Sequence, residues 1–157
     1  MARSTGERHV TLVTLLLHAT HRMIDELIDR VVAAGYPDIR PSDSRVFENL
    51  DPSGTRLNEL AVRSHMTHQS MSELVIGLES RGYVQRMPDP ADRRARLVCL
   101  TPRGRELMRV ALTALAEIET EWLRRLETVG CDDLRGALIR LTELEEYPAS
   151  IDGVSLR

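Results

Sequence analysis

Apolar residues recur at helical spacing from Glu7 to Ala34: Val10, Val13 and Leu17, then Ile24, Leu27, Ile28 and Val31. The pattern predicts one long helix that Gly35 stops. Its apolar face is broad enough to require a partner surface, which points to an oligomer. Tyr36-Pro37 opens a loop, and Pro41 starts a short helix with Ser42 as the expected N-cap and Val46, Phe47 and Leu50 on one face. Asp51-Pro52-Ser53-Gly54 reads as a turn. Two short helices follow. Asn58 is expected to cap the first, Glu59 to Ser64, which buries Leu60 and Ala61. Thr67 is expected to cap the second, His68 to Arg81, where Met71, Leu74, Val75 and Leu78 hold the i, i+3, i+4, i+7 spacing of one buried face.

After Gly82 the pattern changes. Tyr83 to Met87 and Arg96 to Leu100 read as short strands around a polar loop, Pro88-Asp-Pro-Ala-Asp-Arg-Arg-Ala95. Thr101-Pro102 then starts a helix, with a capping hydroxyl and proline at the first helical position. Leu107, Val110, Ala111, Ala114 and Ile118 carry it to about Glu127. Gly130 breaks the run, Asp132 and Asp133 favour a new helix start through the macrodipole, and Leu134, Leu138, Leu141 and Leu144 extend that helix to Pro148. The rest reads as a tail. The predicted fold class is mainly α with a small β-hairpin wing, in a single domain.

Composition fits packed helices: 42% of the 157 residues are hydrophobic but only 3% aromatic, so aliphatic side chains must fill the core. Val10 to Leu17, the most apolar stretch, is too short to span a bilayer, and it continues as an amphipathic helix rather than as a signal peptide. A cytoplasmic protein is expected, with no membrane partner. Net charge is −3, which by itself says little for nucleic acid. The distribution says more. From Arg56 to Arg105 nine arginines stand against five acids, a local net charge of +4 inside an acidic chain.

That basic third holds the candidate chemistry. Two short helices, a tight turn and a hairpin form the winged helix-turn-helix arrangement, whose second helix enters the major groove with its N-terminal residues at base edges. Here those residues are Thr67, His68, Gln69, Ser70 and Ser72, apart from the buried face. The hairpin tip carries Arg93 and Arg94, with Arg96 nearby, and Asp92 is placed to orient one of these arginines. Guanidinium groups on such a tip suit a narrow minor groove of enhanced negative potential.

Taken together, Leu60-Ala-Val-Arg-Ser-His-Met-Thr-His-Gln-Ser-Met-Ser-Glu-Leu74, Leu78-Glu-Ser-Arg-Gly-Tyr-Val84, Pro88-Asp-Pro-Ala-Asp-Arg-Arg-Ala95 and Leu100-Thr-Pro-Arg-Gly104 resemble the MarR family signature. The Asp-Arg-Arg wing and the strand ending Leu-Thr-x-x-Gly are its most diagnostic parts. The resemblance implies a homodimer on double-stranded DNA, with residues 7–34 and 102–147 as dimerisation helices and 41–101 as the DNA-binding lobe. Thr67 to Ser72 would face the major groove, Arg93 and Arg94 the minor groove, with Asp92 in support. It also implies a cleft between the two regions for a small aromatic or drug-like effector, and a repressor acting on a pseudo-palindrome.

Two positions depart from the family pattern. Ser64-His65 stands where the inter-helix turn usually holds glycine. Glu73 stands where many relatives carry a basic or neutral residue, and two roles are open for it: shaping base choice, or pairing with an arginine.

Other functions find less support. His18/His21 and His65/His68 are each three apart, but no acid or cysteine completes a zinc set. Cys99 falls in a strand and is expected to be buried and unreactive. Cys131, at a helix start, is the better thiolate candidate, although thiol sensors of the family carry their cysteine in the first helix. No phosphate loop or nucleophile motif marks an enzyme, and no metal or cofactor is expected. The remaining alternative is a winged-helix interaction module without DNA binding.

Overall fold

The computed structural model describes residues 10–92, 94–142, 150–151 and 154–155. Helix α1 runs Leu12–Ala33, with the Thr11 hydroxyl accepting from the Thr14 amide as its N-cap. The helix therefore starts later than the expected Glu7, which itself lies outside the described residues: Val10 precedes the cap, and Thr11 is extended and closes the helix end. A 3₁₀ turn, Pro41–Asp43, leads into the four-residue α2, Ser44–Phe47. Ser42 does not cap it. The Asp43 carboxylate instead reaches back to the Arg40 amide at 2.8 Å, because proline at the first position leaves that amide as the donor to satisfy.

A short strand, β1 (Thr55–Arg56), runs directly into helix α3 (Leu57–Arg63). Arg56 therefore occupies the N-cap position with no side-chain cap, and Asn58 lies inside the helix rather than capping it. Helix α4 spans His68–Ser80 and starts as expected, with Thr67 Oγ1 accepting from the Ser70 amide at 3.2 Å. Strands β2 (Val84–Pro88) and β3 (Arg96–Leu100) pair antiparallel, with Gln85 opposite Cys99 and Met87 opposite Leu97. β1 adds to the other edge of β3, Thr55 opposite Val98, so the hairpin is part of a three-stranded sheet of order β1-β3-β2.

Helix α5 (Pro102–Glu127) is capped by Thr101, and α6 covers Leu134–Thr142, where Asp133 Oδ1 accepts from the Gly136 amide. The expected continuation of α6 to Pro148 lies outside the described residues. In the segment read as a tail, Ser150–Ile151 (β4) and Val154–Ser155 (β5) pair antiparallel.

The core joins both regions. Val31 of α1 and Leu107 of α5 lie in one buried cluster with Val46, Leu60, Met71, Val75, Leu78, Tyr83, Val84 and Val98. The helical members are apolar positions that the periodicity selects; Tyr83, Val84 and Val98 join them from the sheet and its approach, where no period marked them.

Ser64-His65 works as a turn for two reasons. His65 takes the left-handed conformation at φ 51°, which histidine tolerates better than β-branched residues. Ser64 is buried, and its hydroxyl donates to the Arg45 carbonyl at 3.0 Å and accepts from Asn49 at 3.1 Å. A glycine there would lose both ties, to Arg45 within α2 and to Asn49 just beyond it.

Gly104 explains the glycine of the Leu-Thr-x-x-Gly strand end. A Cβ at this position would run into the Tyr83 carbonyl oxygen, which is backbone and has little room to give. Gly104→Ala is expected to destabilise the fold by about 1–3 kcal/mol, read as a lowered denaturation midpoint.

A polar junction fixes the far end of α4. Asp43, 1% exposed, accepts from both terminal nitrogens of Arg81 at 2.8 and 2.9 Å. Arg81 also donates to the Asp38 carbonyl, and the Tyr83 hydroxyl donates to the Asp38 carboxylate. Arg103 of α5 donates to the Tyr83 hydroxyl at 3.1 Å, with its guanidinium 4.8 Å from that ring. The end of the helix-turn-helix, the segment leaving α1 and the start of α5 thus meet in one network.

Candidate nucleic-acid interface

Residues 67–72 open α4, and the apolar stripe of that helix decides what they can do. Met71, Val75 and Leu78 are buried at 0% exposure, which turns the intervening positions outward. Thr67, His68, Gln69 and Ser70 are exposed and Ser72 is half-buried. Thr67 and Ser70 are partly committed to each other, since the Thr67 hydroxyl donates to Ser70 Oγ at 2.9 Å while capping its amide. His68 and Ser72 are the freer groups for reading bases, while Gln69 donates through Nε2 to Glu73 Oε1 at 3.3 Å.

The wing is shaped by an aspartate that sequence reasoning missed. Asp89, 6% exposed, accepts from Arg56 Nε at 2.8 Å and from its terminal nitrogen at 2.5 Å. Its other oxygen accepts from the Ala91 amide at 2.8 Å. The clamp ties the hairpin loop to the strand that leads into α3. Pro88 and Pro90 flank Asp89, and the Pro-Asp-Pro run is the one local signal of a bend; its partner, Arg56, is 33 positions away. Asp92 does not meet the Arg94 guanidinium; Arg93, another arginine it was expected to orient, lies outside the described residues. Its carboxylate accepts from the backbone amide of Arg94 at 3.0 Å, an Asx-type turn, and lies 3.9 Å from Arg56 rather than forking onto the Arg94 guanidinium.

Arg94 and Arg96 are exposed, and no acid pairs with either among the described residues. Arg93 lies outside the described residues. Arg86, on β2, is 3.7 Å from Glu79, so part of its charge is answered within the chain. The basic surface is therefore narrower than the count of arginines implies: Arg56, Arg63, Arg81 and Arg86 all meet carboxylates.

The backbone amide of Ala91 and then the Arg56 guanidinium hold the Asp89 carboxyl below its ordinary pKa. A depressed carboxyl stabilises the fold above its unfolded value, about 3.9, and that contribution fades as pH falls through the lower folded value. The wing clamp is thus intact at neutral pH and opens only in acid. Asp89→Ala is expected to speed amide hydrogen exchange at Ala91 by about tenfold at neutral pH while α4 amides keep their protection. Unchanged exchange in the loop would show that Asp89 does not brace it.

The two cysteines lie apart and half-buried. Burial pushes the Cys99 thiol above its ordinary pKa, and its Sγ rests 3.8 Å from the Ser53 carbonyl oxygen. Among the described residues no group of three or more His, Cys, Asp or Glu is arranged to hold a metal ion. No helix among them is long and apolar enough to cross a membrane.

Comparison with known proteins agrees with this geometry. Residues 38–95, from Asp38 at the junction to the end of the wing loop, match the model of the MarR family. An HTH-type transcriptional regulator of Mycobacterium bovis is 34% identical over 116 residues, covering 69% of this chain and 81% of that one. Among solved structures, a probable transcriptional regulator from Pseudomonas aeruginosa shares the fold at a TM-score of 0.63 and 27% identity, over 83% of this chain and 96% of that one. The transcriptional repressor CouR, solved bound to a 23-mer DNA duplex, shares the fold at a TM-score of 0.65 and 24% identity, over 91% and 97% of the two chains. CouR from Rhodococcus jostii RHA1 bound to p-coumaroyl-CoA gives 0.64 and 21%, over 86% and 94%. A helix-turn-helix with a polar leading edge, a wing clamped by Asp89 and a relative matched over four-fifths of its length lead to one assignment: the chain belongs to the MarR family of transcriptional regulators.

Proposed function

We propose that the chain is a sequence-specific DNA-binding repressor that acts as a homodimer on a pseudo-palindromic operator and responds to a small molecule. The observation that carries this reading is the pairing of α4, whose leading residues Thr67 to Ser72 are largely outward, with a braced wing whose Arg94 and Arg96 are unanswered by acids among the described residues. Helix α4 would enter the major groove through His68, Gln69 and Ser72, while Thr67 and Ser70 set the helix start beside phosphates. Arg94, with Arg93 next to it in sequence, would enter the minor groove. The fold-related CouR has been solved on DNA, which supports this mode of action.

Apolar surface that the single chain leaves uncovered supports the dimer. Leu12, Val13, Leu15 and Leu17 of α1 are between 54% and 68% exposed, and Leu141 of α6 is 77% exposed. Surface of this kind at the helix ends fits a second copy of the chain. In a two-fold dimer the α4 helices would sit about one helical turn, about 34–36 Å, apart.

An effector would act through the junction of Asp38, Tyr83, Arg81 and Arg103, which joins α5 to the DNA-reading lobe. Binding needs both half-sites, so a small change in lobe separation would weaken it. CouR, solved with an aromatic acyl-CoA, supports a small aromatic or drug-like effector. No catalytic step belongs to this reading, and its place is the cytoplasm, beside the DNA.

Inserting base pairs tests the arrangement. Five extra base pairs between the half-sites, about half a helical turn, should abolish tight binding, and ten should not restore it, because they add about 34 Å to a span that the dimer fixes. Sedimentation should give a dimer. A monomer bound to one half-site, indifferent to spacing, would contradict the reading.

A further inference from the structure

Glu73 is exposed on the same face of α4 as the reading residues, one turn beyond Gln69. A carboxylate facing a polyanion weakens binding unless it serves selection. Of the two roles open from the sequence, the structure favours one. No arginine among the described residues pairs with Glu73; its hydrogen bond is from Gln69 Nε2 to Oε1, at 3.3 Å.

This bond restricts what Gln69 can present. A glutamine amide has one acceptor oxygen and two N–H donors, while an ionised carboxylate only accepts. Glu73 can therefore hold only the amino end of the amide, and it repels the carbonyl end. One N–H is taken. The carbonyl oxygen and the other N–H remain as an acceptor–donor edge. Adenine presents the matching pair in the major groove, the N6 amino donor and the N7 acceptor. Guanine presents two acceptors, O6 and N7, and would need both N–H groups of an amide that has already committed one.

We propose that Glu73 is a positioning residue for base choice: by holding the Gln69 amide in one orientation, it makes the recognition helix prefer an A·T pair over G·C at one position of each half-site. This rests on the DNA-binding reading above, and it explains why a carboxylate is carried on a helix that approaches phosphates.

The test uses the full chain and a pool of duplexes randomised over about two helical turns. Selection with the wild-type protein gives the preferred duplex. Affinities are then measured for wild type, Glu73→Ala, Glu73→Gln and Gln69→Ala on that duplex, and on the same duplex with the candidate A·T pair changed to G·C in both half-sites. Wild type should prefer A·T by about tenfold or more. Glu73→Ala should lose most of that ratio while its affinity for the G·C duplex holds or rises, because a repelling charge has gone. Glu73→Gln, which keeps an acceptor oxygen, should retain part of the ratio, and Gln69→Ala should erase it. A purely structural role would weaken both duplexes equally. The proposal is overturned if Glu73→Ala keeps the full ratio, or if no A·T position depends on Gln69. A wild-type chain that enriches no sequence overturns the DNA-binding reading itself, and this inference with it.

Discussion

Replacing Arg93 and Arg94 together with alanine is expected to lower operator affinity by about two to three orders of magnitude and to leave the denaturation midpoint nearly unchanged. The chain as a whole carries −3, so attraction to DNA must come from a local surface. Several arginines of the central third are tied to Asp43, Asp51, Glu79 and Asp89, which leaves the wing as the concentrated source of free charge. Arg94 is exposed and its backbone alone is held, by Asp92, so its side chain contributes little to folding. Each lost phosphate contact should reduce the slope of log affinity against log salt by about 0.9, and the proposed dimer, losing four arginines, by up to about 3.6. Fluorescence anisotropy over a range of salt reads both effects. A loss of only two- or threefold, with an unchanged slope, would remove the wing from the interface.

Asp43→Ala is expected to be the most destabilising single change at the junction. The carboxylate is 1% exposed and takes two hydrogen bonds from Arg81 and one from the Arg40 amide. Arg81 is itself largely enclosed, with 17% of its side chain exposed. Removing its partner leaves a charge in poor contact with water, a loss of about 3–5 kcal/mol. For a chain of this size that lowers the melting temperature by about 6–20 °C. Removing both charges, Asp43→Leu with Arg81→Met, should restore much of the loss, since the cost lies in the unpaired charge rather than in the missing bridge. Thermal denaturation of the three proteins separates the cases. If the double variant is no better than Asp43→Ala, the hydrogen bonds to the Asp38 and Arg40 backbones carry the stability instead.

The long helices, the Thr67 and Thr101 caps and the β2–β3 hairpin are legible in the sequence because each rests on local order: a period of apolar residues, a capping hydroxyl, or a change of period after glycine. The departures share one cause. β1 has two residues, too few for any alternation, and it exists because Thr55 and Arg56 lie against Val98 and Leu97, some forty positions away. That strand also explains the misplaced cap at Asn58, because a chain arriving as a strand makes Arg56 the residue before the helix. Ser42 has the right chemistry for a cap, but Asp43 reaches the free amide and also meets Arg81, so two needs are met by one carboxylate. In the wing, adjacency favours Asp92 as the brace of the arginines. The fold turns Asp89 inward to Arg56 and leaves Asp92 at the surface turn. What was hidden in each case is a contact between residues distant in sequence. Glu73 is a different case: its partner Gln69 is only one helical turn away, but the sequence does not say which way the two side chains turn.

The central claim is sequence-selective DNA binding through α4 and the wing. Its most direct test is the affinity of the purified chain for a duplex from its own upstream region and for a scrambled duplex of equal length and composition, across a range of salt. The upstream duplex is expected to be favoured by about a thousandfold or more at physiological salt, and both affinities to fall steeply as salt rises. Equal affinity for the two duplexes, or binding to neither, would contradict the claim and leave the fold as a winged-helix interaction module.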